Sequence, residues 1–154
     1  MQGAAHELAH FWWSIADATT GDDWINEGLA EYSALAAAGS RFGQGARDSL
    51  LAAYRRDAAQ SQTAVTVAAT PTDSPDRYVN RYEKPALLLA EAEQTYGPEP
   101  LREALRTVYA RFRGTRAATT AAVLSIIGDV LGLDAEARLR TCLVDVAWRD
   151  HCPR

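Results

Sequence analysis

The sequence has little that would tie it to nucleic acid, a membrane or a disulfide scaffold. It contains one lysine, Lys84, beside fifteen arginines, and its sixteen basic side chains face twenty acidic ones for a net charge of −4. There is no basic run to follow a phosphate backbone, so nucleic acid is not an expected partner. No apolar run is long enough to span a bilayer, and no charged-then-apolar leader opens the chain. A soluble, cytoplasmic protein without membrane contact is therefore expected. Two cysteines, Cys142 and Cys152, fit no zinc-binding spacing and imply no disulfide framework. Strand-like alternation, internal repeats and linkers are also missing. What is present, 47% hydrophobic and 23% charged residues over 154 positions, is the composition of one globular domain, 1–154, large enough to bury a core.

Apolar residues recur instead at helical spacing. A first helix is predicted over 2–18, with Ala4, Leu8, Phe11, Trp12 and Ile15 for its buried face. A polar loop with Gly21 follows, and Asp22 or Asp23 is placed to cap a second helix running to about Ala38. A third helix is expected over 46–60, then a long loop over 61–76. Pro85 suits the first turn of an apolar helix through Leu87, Leu88, Leu89 and Ala92. Further helices are expected from Pro98 to Arg113, from a Thr119 or Thr120 cap to Gly132, and from an Asp134 cap through Leu139, Leu143 and Val146 toward Trp148. The fold class is all-α, with six to eight packed helices.

The chemistry concentrates in His6-Glu7-Leu8-Ala9-His10 and Asn26-Glu27-Gly28-Leu29-Ala30-Glu31-Tyr32. Histidines four apart lie one helical turn apart, so both imidazoles can face one metal ion. A catalytic zinc needs a third protein ligand and one open position for water, and Glu27 on the next helix is the natural third ligand. Glu7 is rotated roughly 100° from His6, beside the metal, where a base can take a proton from a bound water. A third histidine after an intervening glycine is excluded, because Trp13 and Ala16 stand at those positions. Glu31 shares a helix face with Glu27; it can hydrogen-bond the outer nitrogen of a ligand histidine or simply be solvated. Asn26 can support the site or merely lie near the helix start. Burial statistics for aromatics favour the core for Trp12, Trp13 and Trp24.

The run from His6 to Trp13, with Asp22 to Tyr32, resembles the zinc-binding half of the M1 aminopeptidases, a gluzincin family. Arg81-Tyr82-Glu83-Lys84 and the apolar helix after it are similar to the family's Tyr-Glu-Lys-Gly segment, and the final helices resemble the end of its catalytic domain more weakly. The resemblance implies one zinc held by His6, His10 and Glu27, with Glu7 as general base. It also implies that Tyr82 hydrogen-bonds the oxyanion formed from a peptide carbonyl, with Tyr78 as the fallback. The substrate implied is a peptide, attacked as by an aminopeptidase.

Three departures stand out. Sixteen residues separate His10 from Glu27 where the family has eighteen, a difference that falls in the loop. Pro85 replaces the glycine after Tyr-Glu-Lys. The family's Gly-Ala-Met-Glu-Asn strand motif, which binds the substrate amine, lies upstream of the zinc helix and has no counterpart here. The expectation is a fragment lacking the upstream β-rich half, which another domain or partner chain would supply. The alternative is a non-catalytic helical zinc-binding or protein-interaction domain derived from such a peptidase.

Overall fold

The computed structural model describes residues 2–61, 65–145, 148, 152 and 153. Among them are seven α-helices: α1 (Gln2–Trp13), α2 (Trp24–Phe42), α3 (Gln44–Gln60), α4 (Lys84–Tyr96), α5 (Pro98–Phe112), α6 (Thr120–Leu131) and α7 (Leu133–Arg140). The described residues contain no strand, only one isolated bridge between Ala16 and Ala118. The all-α expectation holds. Helix α2 is the axis of the molecule, packed against α1, α3 and α4, while α5, α6 and α7 continue the stack from α4. Its Trp24, Ile25, Leu29 and Leu35 are all but inaccessible, and they join Leu87, Leu88 and Leu89 of α4 in one core.

Helix α1 ends at Trp13, short of the expected residue 18. The Asn26 side chain explains the early stop. Its Oδ1 accepts from the backbone N–H groups of Ile15 (3.0 Å) and Ala16 (2.9 Å), and its Nδ2 donates to the Ala16 carbonyl (3.1 Å). Those groups would otherwise extend the helix ladder. Of the expected buried face only Ile15, past the end of α1, is buried. Leu8, Phe11 and Trp12 are 59%, 80% and 53% exposed, and Ala4 is exposed, because His6 and Ala9 turn toward α2. Among the tryptophans, Trp24 is core and its indole donates to Thr120 Oγ1 at 2.8 Å. Trp13 is partly buried, with its indole donating to Ser33.

Neither aspartate caps α2 in the expected way. Asp23 makes no capping hydrogen bond, since arginines take its carboxylate, and Asp22 accepts instead from the backbone N–H (2.7 Å) and hydroxyl (2.6 Å) of Thr120. Thr119 caps α6 as expected, and Gly132, at φ 106°, ends it. Asp134 lies inside the first turn of α7 and accepts from Tyr96. Past α7 the chain makes a π-helical turn, Thr141–Asp145, and Val146 lies outside the described residues. Cys142 and Cys152, read as implying no disulfide framework, are joined in a disulfide, with their Cα atoms 5.7 Å apart. No helix among the described residues is long and apolar enough to cross a membrane.

Candidate metal centre

Helix α1 crosses α2 so that three ligand-type atoms converge. His6 Nε2 lies 3.1 Å from His10 Nε2 and 3.2 Å from Glu27 Oε2, and His10 Nε2 is 3.3 Å from the same oxygen. Behind this cluster, His6 Nδ1 meets Glu31 Oε2 at 2.6 Å, and the Tyr54 hydroxyl donates to the other Glu31 oxygen. A carboxylate only accepts, so Nδ1 carries the proton. The neutral ring then turns its Nε2 lone pair toward the Glu27 carboxylate and His10 Nε2.

Such a cluster demands a cation. Without a metal the demand falls on a proton: hydrogen bonding to Glu27 and then Glu31 holds the His6 imidazolium up to about 9, against the cost of burial. Glu27 is correspondingly held down to about 2, where hydrogen bonds from His10 and His6 outweigh its desolvation. A divalent metal fits the same place. Tetrahedral zinc with bonds of about 2.0–2.1 Å sets neighbouring ligand atoms about 3.3–3.4 Å apart, close to the separations found. Two nitrogens, a carboxylate oxygen and a carboxylate behind one histidine make a zinc-type donor set. Among the described residues this is the one group of three or more such side chains able to share a metal ion.

Glu7, one residue beyond His6, is exposed on α1 and outside the ligand cluster. Tyr82 lies across the site, its ring stacked on His6 with centroids 5.4 Å apart and planes 11° apart. Tyr78 stacks on the outer face of Tyr82 at 4.6 Å and is half exposed. Burial pushes the Tyr82 phenol up and Glu27 pushes it further, while Arg77 opposes both.

The segment bearing Tyr82 is a π-helical turn, Val79–Glu83. Pro85 accounts for it. Proline has no N–H to offer the Arg81 carbonyl four residues back, and its ring crowds that carbonyl. The preceding turn widens, so that the Lys84 N–H bonds the Val79 carbonyl, five residues back. Gly28 admits this wider segment. A Cβ there would lie 2.5 Å from Pro85 Cβ and 3.3 Å from the Arg81 carbonyl oxygen. The substitution of proline for the family's glycine is thus accommodated by the glycine beside Glu27.

Three supporting residues escaped the sequence reading. Tyr54 on α3 braces Glu31. Asp23, 1% exposed, accepts from Arg81 (2.9 Å) and Arg77 (3.0 Å) on one oxygen and from Asn26 (3.2 Å) on the other. Arg81 is itself buried and donates to the Thr70 carbonyl at 2.8 Å. The available signal was the spacing of Asp23, Glu27 and Glu31, each four residues from the next and so on one helix face.

Glu83 and Lys84, which follow Tyr82 in the chain, are both buried. Lys84 Nζ donates to Asn80 Oδ1 (2.5 Å) and Ser61 Oγ (3.1 Å), and burial brings it down to about 8. Burial pushes Glu83 up to about 7, with Asp57 and Glu31 adding and Lys84 opposing, and its Oε2 has no hydrogen-bond partner. A folded-state pKa above the unfolded one gives stability that is full below pH 4.5 and is lost as pH rises through about 7. Glu83→Gln, neutral throughout, should remove that slope, worth up to about 3 kcal/mol. Thermal unfolding at pH 5 and pH 8 in excess chelator, where His6 contributes equally to both proteins, checks this. Parallel changes in the two proteins would reject it.

The Peptidase family M1 domain matches residues 2–140. No curated protein matches the sequence. Among solved structures, the M1 zinc metallopeptidase of Deinococcus radiodurans is similar, with a TM-score of 0.84 and 24% identity over 99% of this chain and 35% of that one. A mutant of that metallopeptidase bound to a Tyr-Ser-Ala substrate gives 0.82 and 23% over 99% and 34%. A two-domain M1 zinc metallopeptidase mutant bound to L-tryptophan gives 0.84 and 23%, again over 99% and 34%. These likenesses establish the fold. The chain spans about a third of the length of each solved structure.

Proposed function

The chain belongs to the peptidase family M1, and from that premise we propose that it is the zinc-bearing helical part of a catalytic domain that hydrolyses peptide bonds as an aminopeptidase. The observation that carries the reading is the convergence of His6, His10 and Glu27 within 3.1–3.3 Å of one another, with Glu31 behind His6. These three residues would hold the zinc, and bound zinc would supply Lewis acidity, bringing the pKa of a water molecule from about 15.7 to about 7.

Glu7 takes the proton of the attacking water and passes it to the leaving amine. Tyr82 donates its hydroxyl proton to the substrate carbonyl oxygen as negative charge builds there, a contribution of about 3–4 kcal/mol if it matches other oxyanion donors. Glu31, braced by Tyr54, fixes the His6 ring with Nε2 toward the metal. The exposed apolar side of α1, Leu8, Phe11 and Trp12, is where the remainder of a longer catalytic domain packs. That remainder supplies the grip on the substrate amine. The ligands in the solved relatives, a tripeptide and an amino acid, agree with a peptide substrate.

Extensively dialysed protein should carry close to one zinc per chain by elemental analysis. Within the complete catalytic domain it should hydrolyse amino-acyl arylamides, lose that activity to a chelator and regain it with zinc. A full zinc complement in that complete domain with no hydrolysis of any amino-acyl arylamide or peptide would leave the non-catalytic, partner-binding reading in its place.

A further inference from the structure

The carboxylate of Asp23 receives two guanidinium groups on one oxygen, and only one of them is needed to bury it. Arg81 is inside, with 2% of its side chain exposed, and it neutralises Asp23 while also bonding the Thr70 carbonyl. Arg77 reaches the same oxygen at 3.0 Å from the surface, with 34% of its side chain exposed. Its guanidinium carbon lies 5.9 Å from the centre of the Tyr82 ring. Arg77 is therefore surplus to the burial of Asp23 but is held beside Tyr82.

The Tyr82 ring, stacked on His6, also has the Arg77 guanidinium over it. We propose that Arg77 is a positioning residue for Tyr82: fixed by Asp23, its guanidinium packs against the ring and holds it, and with it the hydroxyl, in place for the carbonyl oxygen under attack. This rests on the role given to Tyr82 above. The planar fork of arginine matters, because one end must stay on Asp23 while its flat face lies against the ring.

The test compares, within the complete zinc-loaded catalytic domain, the wild type with Arg77→Met, Tyr82→Phe and the double variant, measuring kcat and KM on an amino-acyl arylamide. Tyr82→Phe should lose roughly 10²–10³-fold in kcat. Arg77→Met should lose about tenfold in kcat with KM within about twofold, and should cost nothing further in the Tyr82→Phe background. Calorimetry supplies a readout apart from turnover. Arg77→Met should weaken a tetrahedral phosphinic dipeptide analogue about tenfold and leave a free amino acid unaffected. Arg77→Lys keeps a cation against Asp23 but not the planar fork, so it should keep the wild-type melting temperature without restoring kcat.

Additive losses in the double variant, a change confined to KM, or full recovery of kcat with lysine would each overturn the proposal and leave the peptidase reading standing. No loss from Tyr82→Phe alone, or an inactive wild type, would instead overturn the reading and the proposal with it.

Discussion

Replacing Glu7 with glutamine is expected to reduce hydrolysis by roughly 10²–10⁴-fold while leaving zinc content unchanged. Glutamine keeps the size and the hydrogen-bonding reach of glutamate but does not accept a proton near neutral pH. Glu7 is exposed on α1 and outside the ligand cluster, so the substitution disturbs neither the core nor the metal. Its stability effect should stay within about 0.5 kcal/mol, the usual range for a surface site. Because the loss is of a base acting in the transition state, kcat and kcat/KM should fall together, with KM nearly constant. Elemental analysis beside steady-state kinetics checks both halves. Zinc lost along with activity would make Glu7 a ligand, and activity within a few-fold of wild type would remove it from the mechanism.

The site was legible to the extent that its geometry is local. Histidines at i and i+4 face one way on any α-helix, so His6 and His10 could be paired from spacing alone, and Glu27 needed only a second helix returning alongside. The outer face of α1 was misread because Leu8, Phe11 and Trp12 also fall at helical spacing. Periodicity marks an apolar stripe and does not say which neighbour covers it. Asp23 was read as a cap because the capping rules describe a helix end in isolation. The arginines that claim its carboxylate come from 54 and 58 residues further along the chain. The brace of Tyr54 on Glu31 spans 23 residues and the Cys142–Cys152 bridge spans 10, and no local pattern encodes either. Pro85 was visible as a departure, whereas its accommodation by Gly28 depends on two helices whose contact no local pattern encodes.

Asp23→Ala should be the most destabilising single change around the site, at about 3–5 kcal/mol, because it strands a buried charge. The Arg81 side chain is 2% exposed, and Asp23 is its only salt-bridge partner among the described residues. Its Nε already lacks a hydrogen bond, so little remains to solvate the guanidinium once the carboxylate is gone. Arg77, a third exposed, can turn to water. At about 2–4 °C per kcal/mol for a chain of this size, the melting temperature should fall by roughly 6–20 °C. The loss should reach the site, since Asp23 ties Asn26, next to Glu27, to Arg81, next to Tyr82. A second substitution separates a stranded charge from a lost contact. Arg81→Met on the Asp23→Ala background removes the unpaired cation and should recover part of the stability, whereas independent contacts would give the sum of the two losses. Thermal unfolding of the wild type, both single variants and the double variant, zinc-loaded and in chelator, measures that coupling. A melting temperature for Asp23→Ala within about 2 °C of wild type would mean that water reaches Arg81, and the pair would then have no part in holding Tyr82 against the ligand helix.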